Sequence, residues 1–257
     1  MKRIVTAAIA VPLLIAVTLY SPHWLFALIV ALCAGVCFKE LMTFGSSRMG
    51  SRPGAWTAVA GAAVTASFVG DAAWMVTMLT AAFLFCCVMM TFESSPESRD
   101  SMLPNISLTA LCLVYCCVLL GYLVWLPPRV VLVLIGTIWV GDAAAYYGGR
   151  AFGCHKLAPQ ISPNKTVEGS VAGLIGSAVA GVGLGTWLLV GFQVPFLALA
   201  ALTAAVAGQV GDLAESALKR SAGVKDSSAL LPGHGGMLDR MDSLLFAAPV
   251  FYWFFHS

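Results

Sequence analysis

Long apolar runs separated by short polar breaks follow one another along almost the whole chain, and the runs do not alternate in the way of a lumen-facing strand. A helix needs about 20 mostly apolar residues to cross the hydrocarbon core of a bilayer. About nine stretches approach that length, at 4–20, 24–41, 55–70, 73–92, 105–126, 129–147, 167–192, 195–219 and 241–256. The third is short and weak. Backbone polar groups in lipid must be satisfied within the segment itself, so such runs form helices. The pattern therefore predicts an all-α fold, a polytopic transmembrane protein of about nine helices. The first run follows Met1-Lys2-Arg3, but no small-residue cleavage site follows Tyr20, and it reads as a retained helix rather than a secretory signal.

Composition agrees with this solvent. Of the 257 residues, 60% are hydrophobic and 10% charged, and the mean hydropathy is +0.90, far from a soluble domain. If the N-terminus lies inside, every Lys and Arg except Arg129 falls on the inner side, as in cytoplasmic loops. The expected location is thus a membrane crossed many times, with the charged loops on its cytoplasmic side and the lipid bilayer as partner. The net charge of +2 has a topological cause and gives no reason to expect nucleic acid. Cys33, Cys37, Cys86, Cys87, Cys112, Cys116 and Cys117 sit inside apolar runs without CxxC pairing and read as small apolar fillers. Cys154 falls in a cytoplasmic loop, where reducing conditions disfavour a disulfide.

Charge is distributed unevenly between two parts of one continuous membrane domain. Residues 1–128 read as scaffold helices, with ordinary loops at 45–54 and 93–104; Lys39 beside Glu40 there is explained by a local ion pair. Residues 129–257 read as the catalytic part, because acidic groups enter the runs and the cytoplasmic loops fill with Gly, Pro, Lys, His and Asp. The spacings Gly169 to Gly173 and Gly181 to Gly185 are those that let helix backbones approach closely.

Asp212, Glu215, Ser216 and Lys219 are spaced to share one helical face. A carboxylate at membrane depth costs at least about 2.5 kcal/mol, so Asp212 requires a cation or an aqueous pocket. Asp239 and Asp242 stand three apart at the start of the last helix, where two like charges repel unless something positive lies between them. Oxygen ligands favour Mg²⁺, which bridges one or two carboxylates to substrate phosphates. Gly233, Gly235 and Gly236 remove side chains around His234, so backbone N–H groups there can approach phosphate oxygens. Lys219, Arg220 and Lys225 supply matching charge, although each also serves the positive-inside bias. The preceding loop region carries Asp142, then Tyr146-Tyr147-Gly148-Gly149-Arg150 and Asn164-Lys165-Thr166. The last is no P-loop, since the glycines before the Lys are missing, but Lys165 remains a candidate phosphate ligand.

Taken together, these residues resemble a known family, the bacterial-type phosphatidate cytidylyltransferases, also called CDP-diacylglycerol synthases. Its C-terminal pattern reads Ser-x-apolar-Lys-Arg, four residues, Lys-Asp, a small residue, then Pro-x-His-Gly-Gly-apolar-x-Asp-Arg-apolar-Asp. Every fixed position is present from Ser216 to Asp242, including Arg240, and the block from Gly141-Asp142 through Lys165-Thr166-Val167-Glu168-Gly169 is similar as well. One departure is Cys154, where relatives often carry Lys. The detailed resemblance spans about 141–243.

The resemblance implies that CTP and phosphatidic acid are converted to CDP-diacylglycerol and pyrophosphate, a metal-dependent nucleotidyl transfer of phospholipid biosynthesis. Phosphatidate brings its own anionic oxygen, so the protein needs no nucleophile, and its task reduces to positioning and charge neutralisation. The expected catalytic residues are Asp212, Asp239, Asp242 and Lys225. Asp212 and Asp239 are expected to hold Mg²⁺, with Asp142 and Asp242 lining the same site, and a second cation, monovalent or divalent, is left open. Lys165, Ser216, Lys219, Arg220, His234, Gly235, Gly236 and Arg240 are the expected phosphate-binding residues. Assembly as a homodimer is also left open. Two rivals stand. A CTP-dependent lipid kinase of the polyprenol type would release CDP instead of pyrophosphate. A transporter would explain buried acids, but not the loop at 216–242, and no repeated halves are present. The CDP-alcohol phosphotransferase pattern is absent.

Overall fold

The computed structural model of the protein describes residues 2–46, 54–93, 101–230 and 235–256. Nine helices follow one another among the described residues: α1 Lys2–Tyr20, α2 His23–Gly45, α3 Trp56–Ala66, α4 Ala72–Glu93, α5 Met102–Trp125, α6 Pro128–Phe152, α7 Val167–Leu188, α8 Val194–Ala222 and α9 Leu238–Phe255. By length and composition alone, six of these can cross a membrane: α2, α4, α5, α6, α7 and α8. The weak third run is a short helix prolonged by a 3₁₀ turn, spanning Trp56–Val69. α9 is as apolar as the others after its first turns, where Asp239, Arg240 and Asp242 stand. The architecture is an all-α, multi-pass membrane bundle.

Helix ends follow local chemistry. α6 starts at Pro128, whose missing N–H is no loss in a first turn. α8 ends at Gly223, which takes a left-handed φ of +78°; its N–H donates to Arg220 O at 3.0 Å, and Val224 N donates to Lys219 O at 3.0 Å. α6 runs five residues past the apolar pattern's expected end at 147, because Gly148 and Gly149 face α7 instead of breaking the helix. The connection to α7 is not a plain loop. It forms an antiparallel hairpin of β1 Lys156–Ala158 and β2 Ser162–Thr166, with Lys156 opposite Thr166.

The core of the first half packs Phe38, Leu41 and Phe68 with Cys37, Cys116 and Cys117, all buried, and the cysteines there are unpaired fillers. α4 presents Leu84, Phe85 and Val88 outward, an apolar surface suited to lipid. α9 packs on α8 and also on α5 and α2, so it joins the scaffold to the last helices. α6 and α7 lie closest. A Cβ added at Gly169 would stand 2.8 Å from Ala145 O and 3.0 Å from Gly149 Cα, while Gly185 abuts Leu197 of α8. The glycine spacing therefore seats α7 between α6 and α8. Because α6 and α8 end, and α7 and α9 begin, at one end of the bundle, their charged termini gather there.

Gly169→Ala is expected to lower the unfolding free energy by about 1–3 kcal/mol through overpacking against backbone atoms that cannot yield. Gly183→Ala, which faces open space, is expected to change it by less than about 0.5 kcal/mol. Thermal unfolding of both variants in detergent checks the pair.

Candidate active site

A cavity of about 670 Å³ opens among the ends of α6, α8 and α9 and the hairpin. Four carboxylates reach its wall, Asp142 from α6, Asp212 from α8, and Asp239 and Asp242 from α9. Lys165 of β2 also lines it, and its Nζ lies 2.5 Å from Asp212 Oδ2. Asp242 Oδ1 accepts the Ser243 N–H at 2.7 Å. Neither Asp142 nor Asp242 has an ion-pair partner among the described residues. The cavity thus carries more negative charge than its walls neutralise, and like carboxylates so placed favour a cation between them.

An all-oxygen donor set suits Mg²⁺, which takes one or two carboxylates and completes its shell with water and phosphate. The described residues hold no preformed cluster of three ligating side chains. Carboxylates spread around a cavity that substrate phosphates must complete fit that demand, so the residues present are compatible with the ion.

Asp239 differs from the other three. Its Oδ1 receives Lys219 Nζ at 2.5 Å, and its Oδ2 accepts Ser227 N at 3.0 Å, Ser227 Oγ at 3.0 Å and Gly236 N at 2.7 Å. Its carboxylate is spent on the protein. Lys219 is equally engaged: it also pairs with Glu215, which is fully buried and met by no other cation among the described residues. A carboxylate at that depth without Lys219 would be costly.

The remaining expected residues fall outside the cavity wall. Ser216 is half-buried on α8, and Lys225 and Arg240 are exposed. Arg220 donates from Nε to Ile161 O at 3.3 Å and from Nη1 to Val224 O at 3.2 Å, tying the hairpin to the end of α8. Gly235 adopts a φ of +77°, and the Gly236 N–H points to Asp239 and not to open space. His234 and Gly233 lie outside the described residues.

Other residues reach the site without having been expected there. Arg150 lines the cavity and has no ion-pair partner among the described residues. Its signal was its spacing, two helical turns from Asp142, on a helix that runs past the expected end at 147. Gln209 and Ser170 join α8 to α7 at the wall, with Gln209 Nε2 donating to Ser170 O at 3.0 Å and Ser170 Oγ donating to Gln209 Oε1. Thr166 caps α7 by accepting Gly169 N at 3.1 Å. Glu168 accepts Cys154 N at 3.1 Å and binds His155 Nδ1 at 2.6 Å, so at Cys154 it is the backbone that serves the hairpin.

A helical bundle with six helices able to cross a membrane and a charged cavity at the ends of four helices defines a multi-pass membrane protein. The chain belongs to the Cytidylyltransferase family, whose model matches residues 1–257. It is 33% identical over 258 residues, 96% of each chain, to a phosphatidate cytidylyltransferase of Staphylococcus haemolyticus (strain JCSC1435). It is 50% identical over 115 residues, 44% of each chain, to that of Staphylococcus saprophyticus subsp. saprophyticus. It is 49% identical over 120 residues, 45% of this chain and 43% of the other, to that of Bacillus subtilis (strain 168).

The two acids expected to share the metal should separate on substitution. Asp239→Asn, losing its bonds to Lys219 and the loop, is expected to destabilise the fold by about 1.5–3 kcal/mol. Asp212→Asn frees only a half-exposed ion pair, at about 0–1 kcal/mol, and is expected to abolish turnover in folded protein. Parallel unfolding and activity measurements on both variants check this.

Proposed function

We infer that this chain transfers the cytidylyl group of CTP to phosphatidic acid, forming CDP-diacylglycerol and releasing pyrophosphate. The observation that carries the reading is the cavity in which Asp142, Asp212 and Asp242 face Lys165 and Arg150 at one end of a membrane bundle. The family match over the whole chain and the names of its relatives supply the substrate class.

In this reaction a phosphate oxygen of phosphatidate attacks the α-phosphorus of CTP, and the bond from that phosphorus to the pyrophosphate oxygen breaks. No proton has to leave the attacking oxygen, which accords with the absence of a general base among the requirements of the step. The difficulty is the approach of two polyanions, and the residues answer it by charge and position. Lys165 and Arg150 bind phosphate oxygens, Lys165 exchanging its Asp212 partner for substrate. Asp142, Asp212 and Asp242 would hold Mg²⁺, and that ion supplies neutralisation of the phosphates. Lys219 is held to Glu215 and Asp239 and fixes the wall from behind, so its part is support and not a direct clamp. Arg220 likewise steadies the hairpin that carries Lys165.

The site is assigned to the cytoplasmic face of a bacterial inner membrane, because CTP is made in the cytoplasm and all Lys and Arg except Arg129 sit on that side. The exposed apolar faces of α4 and α7 serve lipid contact, and a second copy of the chain could occupy either.

Purified protein in detergent, given CTP labelled on the α-phosphate, phosphatidate and Mg²⁺, is expected to place label in the extracted lipid and to release pyrophosphate. Label reaching the lipid only from the γ-phosphate, with CDP as product, would identify a lipid kinase instead. No transfer from either position would end the enzymatic reading.

A further inference from the structure

Glu40 lies on α2, in the scaffold half, and is buried at 6% exposed. Its neighbour Lys39 is exposed and forms no ion pair with it, since adjacent residues on a helix point to different sides. Every partner of its carboxylate comes from the other half of the chain. Oε2 accepts Ser227 Oγ at 2.8 Å and Leu238 N at 2.8 Å, while Oε1 accepts Ser228 Oγ at 2.6 Å and Met237 N at 3.0 Å. Two of those donors are free N–H groups of the start of α9, where a negative charge is favoured. Four donors and no cation face this carboxylate among the described residues, the single proton of Ser227 Oγ being shared with Asp239 Oδ2, and that is how a buried charge is kept without a counter-ion.

The geometry has a specific consequence. Ser227-Ser228 lie within the α8–α9 connection and Met237-Leu238 where it enters α9, and one carboxylate holds both. Asp239 repeats the tie through Ser227 and Gly236. The start of α9 is therefore fixed on α2, and Asp242, one turn further along, takes its place on the cavity wall from that anchor. An amide would fill the same space but offer one acceptor oxygen and turn an N–H₂ toward backbone donors. Only a carboxylate accepts from all four.

We propose that Glu40 is a positioning residue for nucleotidyl transfer: from outside the cavity, it ties Ser227-Ser228 within the α8–α9 connection to Met237-Leu238 at the start of α9 and so sets Asp242 and Asp239 before substrates bind. The proposal rests on the cytidylyl-transfer reading for its kinetic arm only. Its structural arm is read independently.

The test uses full-length Glu40→Gln and Ser228→Ala in detergent, with thermal unfolding, label transfer from CTP, and thermolysin cleavage scored by mass. Glu40→Gln is expected to lower kcat about ten- to hundredfold while the KM for CTP stays within about threefold, because Lys165 and Arg150, the residues proposed to bind phosphate, stand on elements that Glu40 does not hold. Cleavage at the Ala229–Leu230 bond is expected to accelerate about tenfold, with cleavage at Lys156–Leu157 unchanged. Ser228→Ala, which removes one donor, should show the same split at about three- to tenfold, and it decides the matter if Glu40→Gln does not fold. Wild-type kcat in a folded variant, or acceleration at both bonds alike, would overturn the proposal. Wild-type protein that transfers no label would instead remove the activity reading, while the cleavage comparison would still test the clamp.

Discussion

A carboxylate at the end of an apolar bundle has to be matched, and how each one is matched divides this site into parts that build and parts that act. Glu215 is met by Lys219, Asp239 by Lys219 and the connection's own donors, and Glu40 by four donors without a cation. These groups hold the structure. Asp142 and Asp242 have no ion-pair partner among the described residues, and Asp212 has only the half-exposed Lys165. The imbalance is concentrated in one cavity. Such an imbalance has a use if two polyanionic substrates arrive with a cation between them, as proposed for this site.

Packing makes the imbalance possible by placing it. The glycine seam brings the backbone of α6 against α7, so Asp142 and Arg150 on one helix come opposite the hairpin and cap that carry Lys165 and Thr166. The Gln209 and Ser170 bonds then fix α8, and with it Asp212, to the same wall. Among the described residues, α9 is the one of these elements anchored to the scaffold through a charge, by way of Glu40. The first half is therefore more than a lipid-facing shell.

Most of the bundle could be read in the sequence, since apolar runs long enough to cross a bilayer admit little besides helices, and their ends carry Pro and Gly signals. The acids of the cavity were legible too: Asp142, Asp212, Asp239 and Asp242 each stood out as charge where charge is expensive. What could not be read was which oxygen meets which donor. Lys219 and Arg220 looked free to clamp phosphates in a motif; Glu215 was within reach of Lys219 by its spacing on the same helix, but Asp239 and Ile161 come from α9 and the hairpin, which the sequence does not place. The apolar run was ended at 147, short of Arg150, because the sequence shows the missing side chains of Gly148 and Gly149 and not the neighbours that require them. Glu40 was paired with Lys39 by adjacency, whereas its true partners lie near the opposite end of the chain. Lys225 and Ser216 belong to the family's pattern but do not line the cavity.

In the proposed reaction the protein supplies charge and position while the substrate supplies the attacking oxygen. Exchange of labelled pyrophosphate into CTP, measured with Mg²⁺ and with or without lipid, tests it most directly. Direct displacement predicts no label in CTP when lipid is absent and label when phosphatidate and CDP-diacylglycerol are both present. Exchange of comparable rate without any lipid would mean that a side chain of the protein carries the cytidylyl group, and would contradict the account.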